Sequence, residues 1–207
     1  MAVPSSGNEI SILGIFSEVN ENDYTAFNQE GETNISLSDL ADGEYGTIRT
    51  FSVNKPDADA PHAMSEWHSY DHDAPAPSFS SVIADFNLST TAGGNTTVST
   101  GKSFTLNNAF GDLTATLSFG GSGTGGSTVQ ISISEDGDPG VAGTSNNATG
   151  YVSHGSTATI SSVSSGTIYA RFRLTSGSGG LASTGVTCTF TNGGVTDEVI
   201  VTCAVAK

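Results

Sequence analysis

Between residues 104 and 206 the sequence alternates apolar and polar side chains in run after run, and nothing else in the chain constrains its fold as strongly. "FTLNNAF", "LTATLSF", "TVQISISED", "TATISSV", "TIYARFRLTS", "GVTCTFTN" and "VIVTCAVA" follow one another, separated by Gly, Ser and Asn. Successive side chains of a strand point to opposite faces, so each run can bury one face and solvate the other. In "VQISIS" the buried set is Val129, Ile131 and Ile133. In "IYARFRL" it is Ile168, Ala170, Phe172 and Leu174, with Tyr169, Arg171 and Arg173 outward. About seven strands at this spacing predict an antiparallel, immunoglobulin-like β-sandwich over residues 77–207. The Cys, Trp, Cys signature of antibody domains is missing, and such an architecture by itself names no function.

The two cysteines, Cys188 and Cys203, make no disulfide framework. A hairpin turning on "TNGG" sets Phe190 opposite Val195 and Cys188 opposite Asp197, with Cys203 about six residues further along. That offset excludes a bond between the neighbouring strands, though not one across a sandwich. Buried free thiols in a reducing compartment are the expectation.

Residues 1–76 are a different kind of sequence. They carry 14 acids against Arg49 and Lys55, whereas residues 77–207 carry seven acids against four bases, in a chain of net charge −15. This sign repels a nucleic-acid backbone, so no nucleic-acid partner is expected. No apolar run reaches the roughly 18 to 20 residues of a membrane helix, and "MAVPSSGNEI" lacks the basic start and apolar stretch of a signal peptide. A soluble chain outside the general secretory route, with no membrane partner, is expected. The boundary falls near "DAPAPS", where Pro75 and Pro77 favour extended backbone.

A weak repeat runs through this first half. "ISILGI" (10–15), "ISLSDL" (35–40) and "HAMSEW" (62–67) share an apolar third place, a small or acidic fifth and an apolar sixth. In the second copy Ser36 can cap a helical turn, with Asp39 bonding back to the cap amide and Gly43 ending it. Gly14 takes the acid's place in the first copy, and Ala63 the serine's place in the third. Ile12, Ile15, Phe16 and Val19 share one helical face. Three short helical starts among acidic linkers leave little apolar area for independent folding at about 25 cal/mol per Å². The first half therefore reads as an irregular, partly helical anchor that needs a partner surface. Its contact residues are Ile12, Ile15, Phe16, Leu37, Leu40, Met64, Trp67 and Tyr70.

"MAVPSSGNEISILGI", then "ISLSDL", then "AMSEWHSYDHD" resembles the amino-terminal segment of virion structural proteins of tailed bacteriophages. In those proteins similar turns lead to a "msefysydhd" type element before a variable carboxy-terminal module. The resemblance covers residues 1–75 and implies a non-enzymatic particle component, assembled in the host cytoplasm and resident in the virion. Its partners would be other virion proteins and further copies of itself. Tail, neck or fibre attachment is the expected position, with capsid decoration or host adhesion through a surface glycan as the alternative.

"HAMSEWHSYDHD" (62–73) also offers His62, His68, Asp71, His72 and Asp73, ligand types that zinc takes. It has neither an HExxH pattern nor a cysteine partner, and structural polar contacts around Trp67 and Tyr70 are expected instead, with no metal or cofactor. "SEDGDPG" (134–140) places Glu135, Asp136 and Asp138 around a glycine without the spacing of an EF-hand. "FGGSGTGGS" (119–127) lacks the lysine of a phosphate loop. "SHGS" (153–156) reads as a turn, not as part of a catalytic triad.

Overall fold

The alternating runs fold as strands in the computed structural model, which describes residues 2–26, 34–52, 54–57, 59–80, 86–119, 126–135, 137–139, 148–178 and 181–206. The chain divides into two units, Met1–Pro75 and Ala76–Lys207. The second holds β1 (Ser78–Ser80), β2 (Phe86–Thr91), β3 (Thr96–Val98), β4 (Lys102–Asn107), β5 (Leu113–Phe119) and β6 (Thr128–Ser134). After these come β7 (Val152–Ser153), β8 (Thr157–Ile160), β9 (Gly166–Thr175), β10 (Leu181–Asn192) and β11 (Val195–Ala206). One sheet has the order β1-β4-β9-β6-β7, with β3 also paired to β9, and the other has the order β2-β11-β10-β5-β8. The fold is mainly β, a two-sheet sandwich as the spacing predicts. It departs from that prediction in one pairing: β2 runs parallel to β11. No hairpin joins these two strands, so nothing local imposes the antiparallel sense.

The predicted inward faces are the buried ones. Val129, Ile131 and Ile133, and Ile168, Ala170, Phe172 and Leu174, face Ala115, Leu117, Val186, Cys188 and Val201 of the other sheet in one core. Phe104 of β4 and Phe190 of β10 meet between the sheets with ring centroids 4.8 Å apart. Each such side chain contributes about 1.5–3 kcal/mol relative to exposure. On the outer face, Arg171 donates from Nε and Nη2 to the two carboxylate oxygens of Asp138, both at 2.6 Å. A Cβ at Gly101 would run into that carboxylate, so only glycine lets Asp138 lie there. Asn192, fully buried, accepts from Phe110 N at 2.8 Å and donates to Phe110 O and Asp112 O at 3.0 Å, which pins the β4–β5 connection.

The β10–β11 turn is tighter than the sequence reading has it. Gly193 and Gly194, at φ 55° and 83°, make it alone, which is the pair of positive φ values that a two-residue type I′ turn requires. Thr191 and Asn192 therefore belong to the strand, and the register moves by two: Phe190 pairs with Asp197 and Cys188 with Val199, while Cys203 pairs with Thr184. The cysteines then sit four pair positions apart, about 13 Å at about 3.3 Å per residue, too far for a disulfide. Both are free and buried. Burial pushes the Cys203 thiol from 9.0 up to about 11 and raises Cys188 as well. The folded protein is expected to leave Ellman's reagent unreacted at pH 8 and to react at two thiols in denaturant; fast reaction of either thiol in the native state would contradict this burial. The neutral thiols contribute fully to stability below pH 9.0, and Cys203's contribution is lost as pH rises toward about 11.

In the first unit the repeat is a set of three caps. Ser11 caps α1 (Ile12–Glu21), Ser36 caps α2 (Leu37–Ala41), and Ala63 precedes a 3-10 turn (Met64–Trp67). Ser36 Oγ accepts from Asp39 N at 3.1 Å and Ser11 Oγ from Gly14 N at 3.0 Å. Gly14 replaces the acid for a physical reason: the Tyr24 ring lies where its side chain would be. Tyr24 Oη takes the Ser11 amide at 2.8 Å, the bond a box carboxylate would otherwise accept. The sixth place of every copy, Ile15, Leu40 and Trp67, is fully buried.

These residues correct the picture of an anchor lacking a core. Ile15, Phe16, Leu40, Trp67 and Tyr70 pack with Val3, Val19 and Tyr24 in the unit's own cluster, with Ile12, Leu37 and Met64 half-buried against it. Loop residues missed in the helical count, Val3, Tyr24, Tyr45 and Ile48 among them, supply the missing apolar cover.

Candidate functional site

"HAMSEWHSYDHD" is where the first unit's backbone is tied together. Ser69, at φ 62°, turns the chain after the 3-10 turn. Residues 3 and 4 then lie along it, with Val3 N donating to Tyr70 O at 2.8 Å and Ser69 N to Pro4 O at 3.1 Å. His68 Nδ1 lies 3.1 Å from the same Pro4 oxygen. Trp67 and Tyr70 stack edge to face at 5.2 Å and are both fully buried. Tyr70 Oη accepts from Arg49 N at 2.8 Å and stands 3.1 Å from His72 Nδ1. Desolvation raises the Tyr70 phenol above its usual value, which keeps it a neutral hydrogen-bonding group. Trp67 Nε1 finds no partner among the described residues, whereas Tyr70 Oη has two.

The backbone beyond Tyr70 is held just as closely. Asp71 N donates to Ser52 Oγ and His72 N to Glu18 Oε1, each at 3.0 Å. Glu18, on the buried side of α1, also accepts from Tyr24 N with its other oxygen at 3.0 Å. Arg49 Nε reaches Ala74 O at 2.7 Å. One carboxylate and one arginine thus join three stretches that are distant in sequence.

The five residues of ligand type in this stretch do not converge. His68 faces a carbonyl, His72 faces Tyr70, and Asp71 and Asp73 are linked through a backbone bond at 3.0 Å. The His62 ring does meet a carboxylate, with Nδ1 3.2 Å from Glu66 Oε2. Glu66 is itself fixed, because Oε1 accepts from Ala63 N at 2.7 Å. Asp57, which the sequence reading left aside, joins them: one ligand atom from each of Asp57, His62 and Glu66 lies within 4.8 Å of the others. A cleft of about 520 Å³ opens here, lined by Asp57 and Glu66 with Lys55, Asn54, Ser65 and His68.

The remaining motifs are structural where they are described. Glu135 Oε1 accepts from Ser164 N at 2.7 Å while Asp138 binds Arg171, so these two acids share no ligand, and Asp136 lies outside the described residues. Most of "FGGSGTGGS" lies outside them too. Ser153 Oγ accepts from Gln130 Nε2 at 3.1 Å, and Ser156 N closes a turn onto Ser153 O.

No protein-family model matches the chain, and no curated protein matches it. Among solved structures, one described as "AvmM Catalyzes Macrocyclization in Alchivemycin A Biosynthesis" aligns with 65% of this chain and 90% of its own, at 12% identity and a TM-score of 0.28. That match is to an enzyme, and on it the expectation of a non-enzymatic chain is withdrawn. At such a low similarity no activity, substrate or residue role carries over.

Proposed function

We propose that the chain is a structural component of a tailed-bacteriophage virion, associated with the tail, neck or fibre attachment, which docks through residues 1–75 and displays the sandwich. The observation that carries this reading is the ordered series "ISILGI", "ISLSDL", "AMSEWHSYDHD": each member nucleates a turn whose sixth-place residue enters one shared core. The virion-like motifs thus form one module with its own core. Because Ile15, Leu40, Trp67 and Tyr70 are used internally, docking falls to the exterior. That exterior exposes Glu9, Glu21, Asp42, Glu44, Asp59 and Asp73. A partner with basic groups fits it, and such attachment weakens as salt screens it.

Gold-labelled antibody against residues 77–207 is expected to mark the tail or neck of purified particles, and washing in about 1 M salt, where the screening length is about 3 Å, is expected to release the protein. Label confined to the shell would replace this reading with capsid decoration. Absence of the chain from gradient-purified particles would sink it.

A further inference from the structure

We propose that Asp57, His62 and Glu66 form a binding site for one divalent transition-metal ion of the zinc type. Their ligand atoms lie within 4.8 Å of one another. The His62 Nδ1 to Glu66 Oε2 separation of 3.2 Å is close to the roughly 3.3 Å between two ligands of a tetrahedral ion bound at about 2.0–2.1 Å. One imidazole and two carboxylates is a donor set that zinc accepts, and two carboxylates balance the ion's charge. Glu66 needs little rearrangement, since its bond to the Ala63 amide already fixes the carboxylate.

The repeat supplies a second, independent observation. His62 occupies the place that Ile10 and Ile35 hold in the other two copies, where each packs against the core just before a cap. An apolar residue there normally braces the first turn. The third copy instead puts an imidazole there, with its side chain only 4% exposed and two carboxylates grouped with it. Bracing alone would favour isoleucine; the imidazole instead adds a nitrogen ligand atom beside two acids. The adjoining cleft of about 520 Å³ leaves room for water to complete the coordination. His68 and His72, bonded elsewhere, have no part in it.

The test uses the full chain, stripped with a chelator and titrated with zinc chloride against a chromophoric competitor. One equivalent is expected to bind. Asp57→Asn and His62→Ala are each expected to weaken binding at least tenfold, while His68→Ala and His72→Ala leave it within about twofold. Asp57 is exposed and lies outside the core, so Asp57→Asn keeps the fold; an unchanged melting curve without zinc verifies this. Wild-type protein that shows no saturable binding, or Asp57→Asn that binds as wild type does, would overturn the proposal. Loss of binding in His68→Ala but not in Asp57→Asn would overturn it equally.

Discussion

Trp67→Ala is expected to unfold the first unit and leave the sandwich intact. Trp67 is fully buried and stacks on Tyr70, and truncating a buried aromatic of this size costs about 3–5 kcal/mol. That is comparable to the whole stability of a domain of this length. Tyr70 would lose its ring partner, loosening the hydroxyl that holds the Arg49 amide. Calorimetry of the full chain should show the transition of residues 1–75 lost at 25 °C while that of the sandwich persists, because Trp67 contributes nothing to the sandwich core. Trp67→Phe should cost much less, since the indole N–H has no partner among the described residues to forfeit. A Trp67→Ala protein that keeps both transitions would show that Trp67 does not support this core.

Glu18→Ala is the second large effect, and it arises from hydrogen bonds. The buried carboxylate accepts the amides of Tyr24 and His72 on separate oxygens. Removing it leaves two N–H groups without their acceptor, at about 1–3 kcal/mol each, so about 2–6 kcal/mol in all. Glu18→Gln restores one acceptor but turns an NH2 toward the other amide, and should fall between wild type and Ala. Urea unfolding followed by Trp67 fluorescence reports on this unit alone, because the chain has one tryptophan. Equal midpoints for Glu18→Ala and wild type would remove Glu18 from the scaffold.

The strands were legible where alternation was long. "TVQISIS" and "TIYARFRLT" each contain enough period-two pattern to assign every inward residue, and those residues form the core. The short strands β1 and β3, of three residues each, carry too few apolar positions to register as alternation. The parallel pairing of β2 with β11 was illegible for another reason: a pattern shows which face is buried, not which strand lies alongside. Trp67 and Tyr70 show the same limit. Their apolar character was plain, but what covers them depends on a loop that brings Val3 against Tyr70 from far away in the sequence. The cap at Ser36 was legible because it is local, whereas Asp57 was missed because its approach to His62 depends on the path of the chain between them.

The parallel pair also sets an order of events during synthesis. Phe86 pairs with Val201 and Thr91 with Ala206, so β2 leaves the ribosome more than a hundred residues before the strand it adjoins. At about 5–20 residues per second, it waits roughly 6–23 s with its pairing edge open. The first unit, closed by the Val3 bond to Tyr70, can finish as soon as residue 75 emerges. Nascent chains therefore carry a completed acidic module beside an unclosed sheet, and neighbouring chains on one message are most prone to exchange strands in that interval.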